Sequence, residues 1–273
     1  MLNHDLLRRL SKASMINLGS GPSAYAFDYE ASGINGINLA MTPSAFGLEQ
    51  ALLDEYAAYF QKSAALILAV CPFSFGENRS NADPARYVRY YPILSRAAMD
   101  ALPPPLPHWD ESAAASADYE HPLFPYALNI DRDEVPTEAA MSSRIETMCG
   151  IWKREFGLKD FLDASQAEPH RAAFARERQA LHDLIAAARK LALCPWVFLP
   201  PLHPALRTRI SEAFFGAFVR DQLRDCPAPV LDFTADPRIT ADMFLGPVFL
   251  NRQGAAALTH AVWEQAGAAH KSS

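Results

Sequence analysis

A chain of 273 residues, half of them hydrophobic and 21% charged, carries enough apolar material for one large domain or two small ones and is no disordered polymer. Its formal net charge of −6 and the lack of any Lys/Arg run argue against a nucleic-acid surface. Cys71, Cys149, Cys194 and Cys226 are spaced too widely for a zinc site, and no Walker loop, dinucleotide fingerprint or metal cluster occurs, so no metal or cofactor is expected.

In chain order, residues 1–12 predict a short amphipathic helix without the apolar centre of a signal peptide. No later stretch of roughly 18 apolar residues occurs, so a cytoplasmic protein with no membrane span is expected. Apolar runs at 15–18, 34–40, 65–70, 194–199 and 229–233 predict five strands buried on both faces, as in a parallel sheet covered by helices. Cys71 and Cys194 lie in apolar stretches, which predicts buried free thiols.

Helical spacing appears between these runs. The stretch 46–61 repeats Leu48, Leu52, Tyr56, Tyr59 and Phe60. A long helix after Glu168 places Phe174, Leu181, Leu184, Ile185 and Leu191 inward, one continuous helix is predicted over 205–223, and the last covers 252–266. The alternation predicts a doubly wound α/β fold of three layers, with ligands at the carboxyl ends of the strands near the switch point. Residues 101–167 break the rhythm with a Pro-rich run, an Ala/Ser-rich run and a helix around 138–156. A connection this long predicts an insertion or lid over that end of the sheet.

Several blocks carry a resemblance. The segment Ile-Asn-Leu-Gly-Ser-Gly-Pro-Ser at 16–23 follows the first strand and leads into Tyr-Ala-Phe-Asp-Tyr at 25–29. It resembles the first motif of SGNH (GDSL-type) hydrolases, where a strand ends in Gly-Asp-Ser or Gly-Ser-Ser. Asn-Gly-Ile-Asn-Leu-Ala at 35–40 is similar to the second block, and Phe-Leu-Asn-Arg-Gln-Gly-Ala at 249–255 to the closing Asp-x-x-His motif. The stretches 71–75 and 86–94 resemble a bacterial subgroup of that superfamily. The resemblance implies a single domain over 1–273, a flavodoxin-like αβα sandwich with a five-stranded parallel sheet, into which 101–167 is inserted. It also implies an ester or acyl substrate, including sugar O-acetyl groups.

The departures decide the functional expectation. Gly21 stands where the resemblance puts the nucleophilic serine, Gly246 where it puts the aspartate, and Phe249 where it puts the histidine. Acyl transfer of this kind needs a hydroxyl, a nitrogen base and an acid that orients the base. Losing such a unit costs about 10⁶ in turnover. The expectation is therefore a degenerate, noncatalytic relative that binds a carbohydrate, an acyl-bearing ligand or a protein partner.

An active esterase or acyltransferase with a relocated set is the alternative. Ser20 is then the nucleophile, His203 in the stiff Pro-Pro-Leu-His-Pro loop at 200–204 the base, and Asp232 at a strand end the acid. The bland readings are a turn serine, a helix-start histidine and a surface aspartate. Ser20, Gly21, Ser23, Asn38, Ser74, Arg86, Tyr90, His203 and Asn251 complete the set of candidate ligand contacts. Arg86 and Tyr90 belong to a basic-aromatic cluster suited to an anion or a sugar ring, or to a helix that packs its tyrosines inward. Asn251 suits a helix cap equally well, and Ser74 a packed turn. His108 and His121 fall in the insertion, read as exposed polar residues or as groups descending on the crevice. A third expectation makes that insertion the docking element of an interaction module.

Overall fold

The computed structural model describes residues 4–42, 44–71, 73–78, 90, 93–102 and 132–270. Among them, β1 (Met15–Leu18), β2 (Gly36–Asn38), β3 (Ala65–Ala69), β4 (Cys194–Leu199) and β5 (Val230–Asp232) form one sheet in the order β2-β1-β3-β4-β5. All four pairings are parallel, with Asn17 beside Asn38 and Ile67, Leu68 beside Val197, and Leu199 beside Asp232. Every residue of β1 and of β3 is buried, as a parallel sheet covered on both sides requires. All five predicted strands are present, shortened by a residue or more in β2, β3 and β5.

The helices are α1 (His4–Leu10), α2 (Gly21–Ala26), α3 (Tyr29–Ser32), α4 (Phe46–Tyr56), α5 (Arg96–Asp100), α6 (Glu138–Phe156), α7 (Arg171–Lys190), α8 (Pro204–Arg207), α9 (Glu212–Phe215) and α10 (Arg252–His270). Strand order reverses direction after β2, so right-handed crossovers put the helices before and after it on opposite faces. Accordingly α4 packs on α7, whereas α10 packs on α2 and α3. One hydrophobic core runs through these layers, from Leu18 and Leu66 in the sheet to Leu184 in α7 and Val262 in α10.

Three expectations are corrected. The helix predicted over 205–223 is broken: α8 starts at Pro204, and Ser211 caps a new helix by accepting from Phe214 N at 3.1 Å. A π-helical turn (Gly216–Arg220) and a 3₁₀ turn (Asp221–Leu223) complete the segment. An unforeseen antiparallel hairpin, β6 (Phe244–Gly246) with β7 (Phe249–Leu250), precedes α10. Cys194 is exposed, because it opens β4 at the sheet's amino edge, and Cys71 is only half-buried.

Helix α6, within the segment read as an insertion, docks onto loops at the carboxyl edge. Arg144 Nη1 donates to Leu245 O of the hairpin, and Nη2 pairs with Glu134 at 2.7 Å. The Phe156 ring of α6 stacks on Phe73 in the turn after β3. Residues 103–131, with His108 and His121, lie outside the described residues.

Candidate functional site

The connections from β1 and β3 leave in opposite directions, so the crevice of the fold lies between their carboxyl ends. The chain there is tightly confined. Gly19 has φ 127°, and a Cβ on it would stand 2.8 Å from Ala69 Cβ and 2.9 Å from Ser23 Cβ. Only glycine suits that conformation and that approach. Ser20 follows in extended conformation at the start of α2, its side chain making no capping bond. Its half-buried hydroxyl has no hydrogen-bond partner among the described residues.

The positions that the sequence resemblance assigns to nucleophile, acid and base converge on one aromatic ring. A Cβ on Gly21 would lie 3.3 Å from Phe249 Cε1 and 3.1 Å from Thr42 Oγ1, and a Cβ on Gly246 would lie 2.9 Å from Phe249 Cδ2. The two glycines thus leave the room that the phenylalanine ring occupies. The Tyr25 ring closes its far side, with centroids 4.9 Å apart.

Beneath this apolar plug lies a buried amide-hydroxyl network. Asn17 Nδ2 donates to Asn38 Oδ1 at 2.8 Å and to Ser23 Oγ at 3.0 Å, while Tyr29 Oη donates to Asn17 Oδ1 at 2.9 Å. Ser23 Oγ donates to Leu18 O, Asn38 Nδ2 donates to Ala24 O, and Ala40 N donates to Asn38 Oδ1. Burial pushes the Tyr29 phenol well above its ordinary pKa, so it stays a neutral donor. Ser23 and Asn38, read from sequence as ligand contacts, are fully engaged inside this network. Asn17, central to it, was missed; an asparagine amid Met-Ile-x-Leu in a wholly buried strand was the signal.

His203 lies at the carboxyl edge after β4, 8% exposed, with its ring edge-on to Phe244 of the hairpin. Its Nδ1 accepts from Ala205 N at 3.2 Å and caps α8, while the backbone N–H of His203 donates to Pro247 O. Burial, with Arg207 adding to it, lowers its pKa below the ordinary 6.5. The neutral ring therefore carries its proton on Nε2, which makes it a donor rather than a base.

Asp232 is exposed at the end of β5, where Oδ1 accepts from Thr234 N at 3.0 Å. Asn251 is the cap that its sequence position allows: Oδ1 accepts from Gly254 N at 2.9 Å, and Nδ2 donates to Asp242 O. Ser74 closes the turn after β3, its hydroxyl accepting from Cys71 N at 2.9 Å and donating to Cys71 Sγ. Tyr90 is fully buried, which is the inward-packing alternative, and Arg86 lies outside the described residues. Among the described residues no group of three or more His, Cys, Asp or Glu could hold a metal, and no helix is long and apolar enough to cross a membrane.

Two ionisable groups near this edge carried no sequence signal. Glu49, in the first turn of α4, is 3% exposed; Oε1 accepts from Ser44 Oγ at 2.6 Å and Oε2 is buried without a hydrogen-bond partner among the described residues. Burial raises its pKa to about 8 against the lowering by Ser44, so the carboxyl is neutral at pH 7. Arg132 stands beside Tyr25, its guanidinium 5.8 Å from the ring centroid. No family profile matches the chain, and no curated protein sequence matches it.

Proposed function

We propose that this protein is a noncatalytic relative of the SGNH hydrolases that keeps the crevice at the carboxyl ends of its strands as a ligand-binding site. One observation carries the reading: the three positions that would hold the reacting groups meet around the Phe249 ring as Gly21, Gly246 and Phe249. Their convergence supports the register of the resemblance, since residues far apart in sequence meet where nucleophile and base would have to meet. Their identities remove the chemistry, because neither glycine nor phenylalanine can supply a nucleophile, a base or an acid. The crevice retains two partly exposed groups, the Phe249 ring and the Ser20 hydroxyl, which suit an acyl-bearing ligand or a sugar ring.

The unengaged hydroxyl of Ser20 is also what favours the second reading, a relocated esterase. Hydrolysis of p-nitrophenyl acetate and of an acetylated sugar by the pure protein separates the two. The expected result is no turnover above buffer, unchanged in Ser20→Ala and His203→Ala. Turnover that both substitutions abolish would establish a relocated catalytic pair and end the noncatalytic reading.

A further inference from the structure

We infer that Arg132 is an anion-binding residue at the rim of this crevice, and that the ligand it receives carries a carboxylate or a phosphate group. The inference rests on the crevice being a ligand site and names the chemistry that site recognises.

Arg132 stands where α2, β7 and the first turn of α10 meet, its carbonyl accepting from Arg252 N at 2.9 Å. Its side chain is 23% exposed, yet Nε and Nη2 are buried and make no hydrogen bond among the described residues. Among the described residues its ion-pair partner is Asp28, 3.8 Å from Nη1 and beyond hydrogen-bond distance. The other Asp28 oxygen caps α3 by accepting from Ala31 N at 2.9 Å. Asp133 is in turn 3.1 Å from Arg252 Nε.

The identity of the two unbonded nitrogens matters. Nε and Nη2 lie on one edge of the planar guanidinium, and their N–H bonds run parallel. That edge fits both oxygens of a carboxylate or two oxygens of a phosphate, which an ammonium cannot match. A desolvated cation with unmade bonds is costly, and an anion on that edge removes the cost. Burial weakens the hold of Arg132 on its proton, against Asp28, Tyr25 and Asp133, which strengthen it, and with Arg252, which weakens it further.

The test is thermal unfolding and calorimetric titration with sodium acetate, sodium benzoate and inorganic phosphate, against sodium chloride at equal ionic strength. For the full chain, a rise in Tm of about 3 °C is expected at tenfold excess over Kd. Acetate and benzoate against phosphate tell which anion the site prefers. Arg132→Met keeps the apolar stem over Tyr25 and is expected to remove the anion-dependent rise. Arg132→Lys, which keeps charge but cannot bind with two parallel donors, is expected to weaken binding about tenfold. A rise no larger than with chloride, or one that survives in both variants, overturns the inference. Ester turnover measured on the same samples reads the noncatalytic assignment separately: its appearance removes that assignment, whereas absent anion binding removes only this one.

Discussion

Glu49 and His203 are both held neutral by burial, and the signs of their effects on stability are opposite. The folded pKa of Glu49 is raised from 4.5 to about 8, so the native state binds the extra proton between those values and loses stability as pH rises through them. The slope is at most about 1.4 kcal/mol per pH unit. The folded pKa of His203 is lowered, so its contribution is present above 6.5 and is lost as pH falls through the folded value. Unfolding midpoints measured from pH 5 to 9 should therefore fall less as pH rises from 5 to about 8 in Glu49→Gln. They should fall less on the acid side in His203→Asn, which keeps an acceptor for Ala205 N. At the same scale, Gly21 and Phe249 should be coupled. Gly21→Ser adds atoms 3.3 Å from the ring and is expected to cost about 1–3 kcal/mol. In a Phe249→Ala background that cost should shrink by at least about 1 kcal/mol, read as a double-mutant cycle in denaturant. Additive costs would mean that the ring does not occupy the space facing residue 21.

At the scale of elements, β1 is tied to its surroundings by Asn17 more than by length, being only Met15–Leu18. The Asn17 side chain connects β1 to β2 through Asn38, to α2 through Ser23 and to α3 through Tyr29. Asn17→Ala leaves three buried polar groups short of a partner, and a loss of about 2–4 kcal/mol is expected from chemical denaturation. A cost under about 0.5 kcal/mol would show that the network merely fills space. The helix written across 205–223 fails as a single element for a reason of the same kind. Its apolar spacing is real, since Phe214, Phe218 and Val219 are all buried. Ser211, however, offers a new cap in the middle, and Phe73, Phe161 and Phe174 draw Phe214 and Phe218 into an aromatic cluster that a straight helix is not required to reach. Helix α6 was legible to the residue over 138–156, where Thr137 caps the start by accepting from Ala140 N. Its docking on the hairpin through Arg144 was not, because a long-range bond to a backbone carbonyl leaves no pattern in sequence.

For the molecule as a whole, the sequence by itself determined the α/β class, the five strands and the parallel sheet. Runs such as 15–18 and 65–70 are apolar on both faces, and that pattern is local. It also determined which positions break the hydrolase-like motifs, since Gly21, Gly246 and Phe249 can be read one at a time. Tertiary structure alone decided that these positions share one ring. It also decided that Ser23, Asn38 and Tyr90 turn inward, that the His203 ring spends Nδ1 on a helix cap, and that the paired donors of Arg132 make no hydrogen bond among the described residues. The physical reason is one of range. Hydrophobic periodicity is set by neighbours along the chain, whereas burial of a polar group and completion of its hydrogen bonds depend on residues that only the folded sheet brings within 3 Å or so of each other.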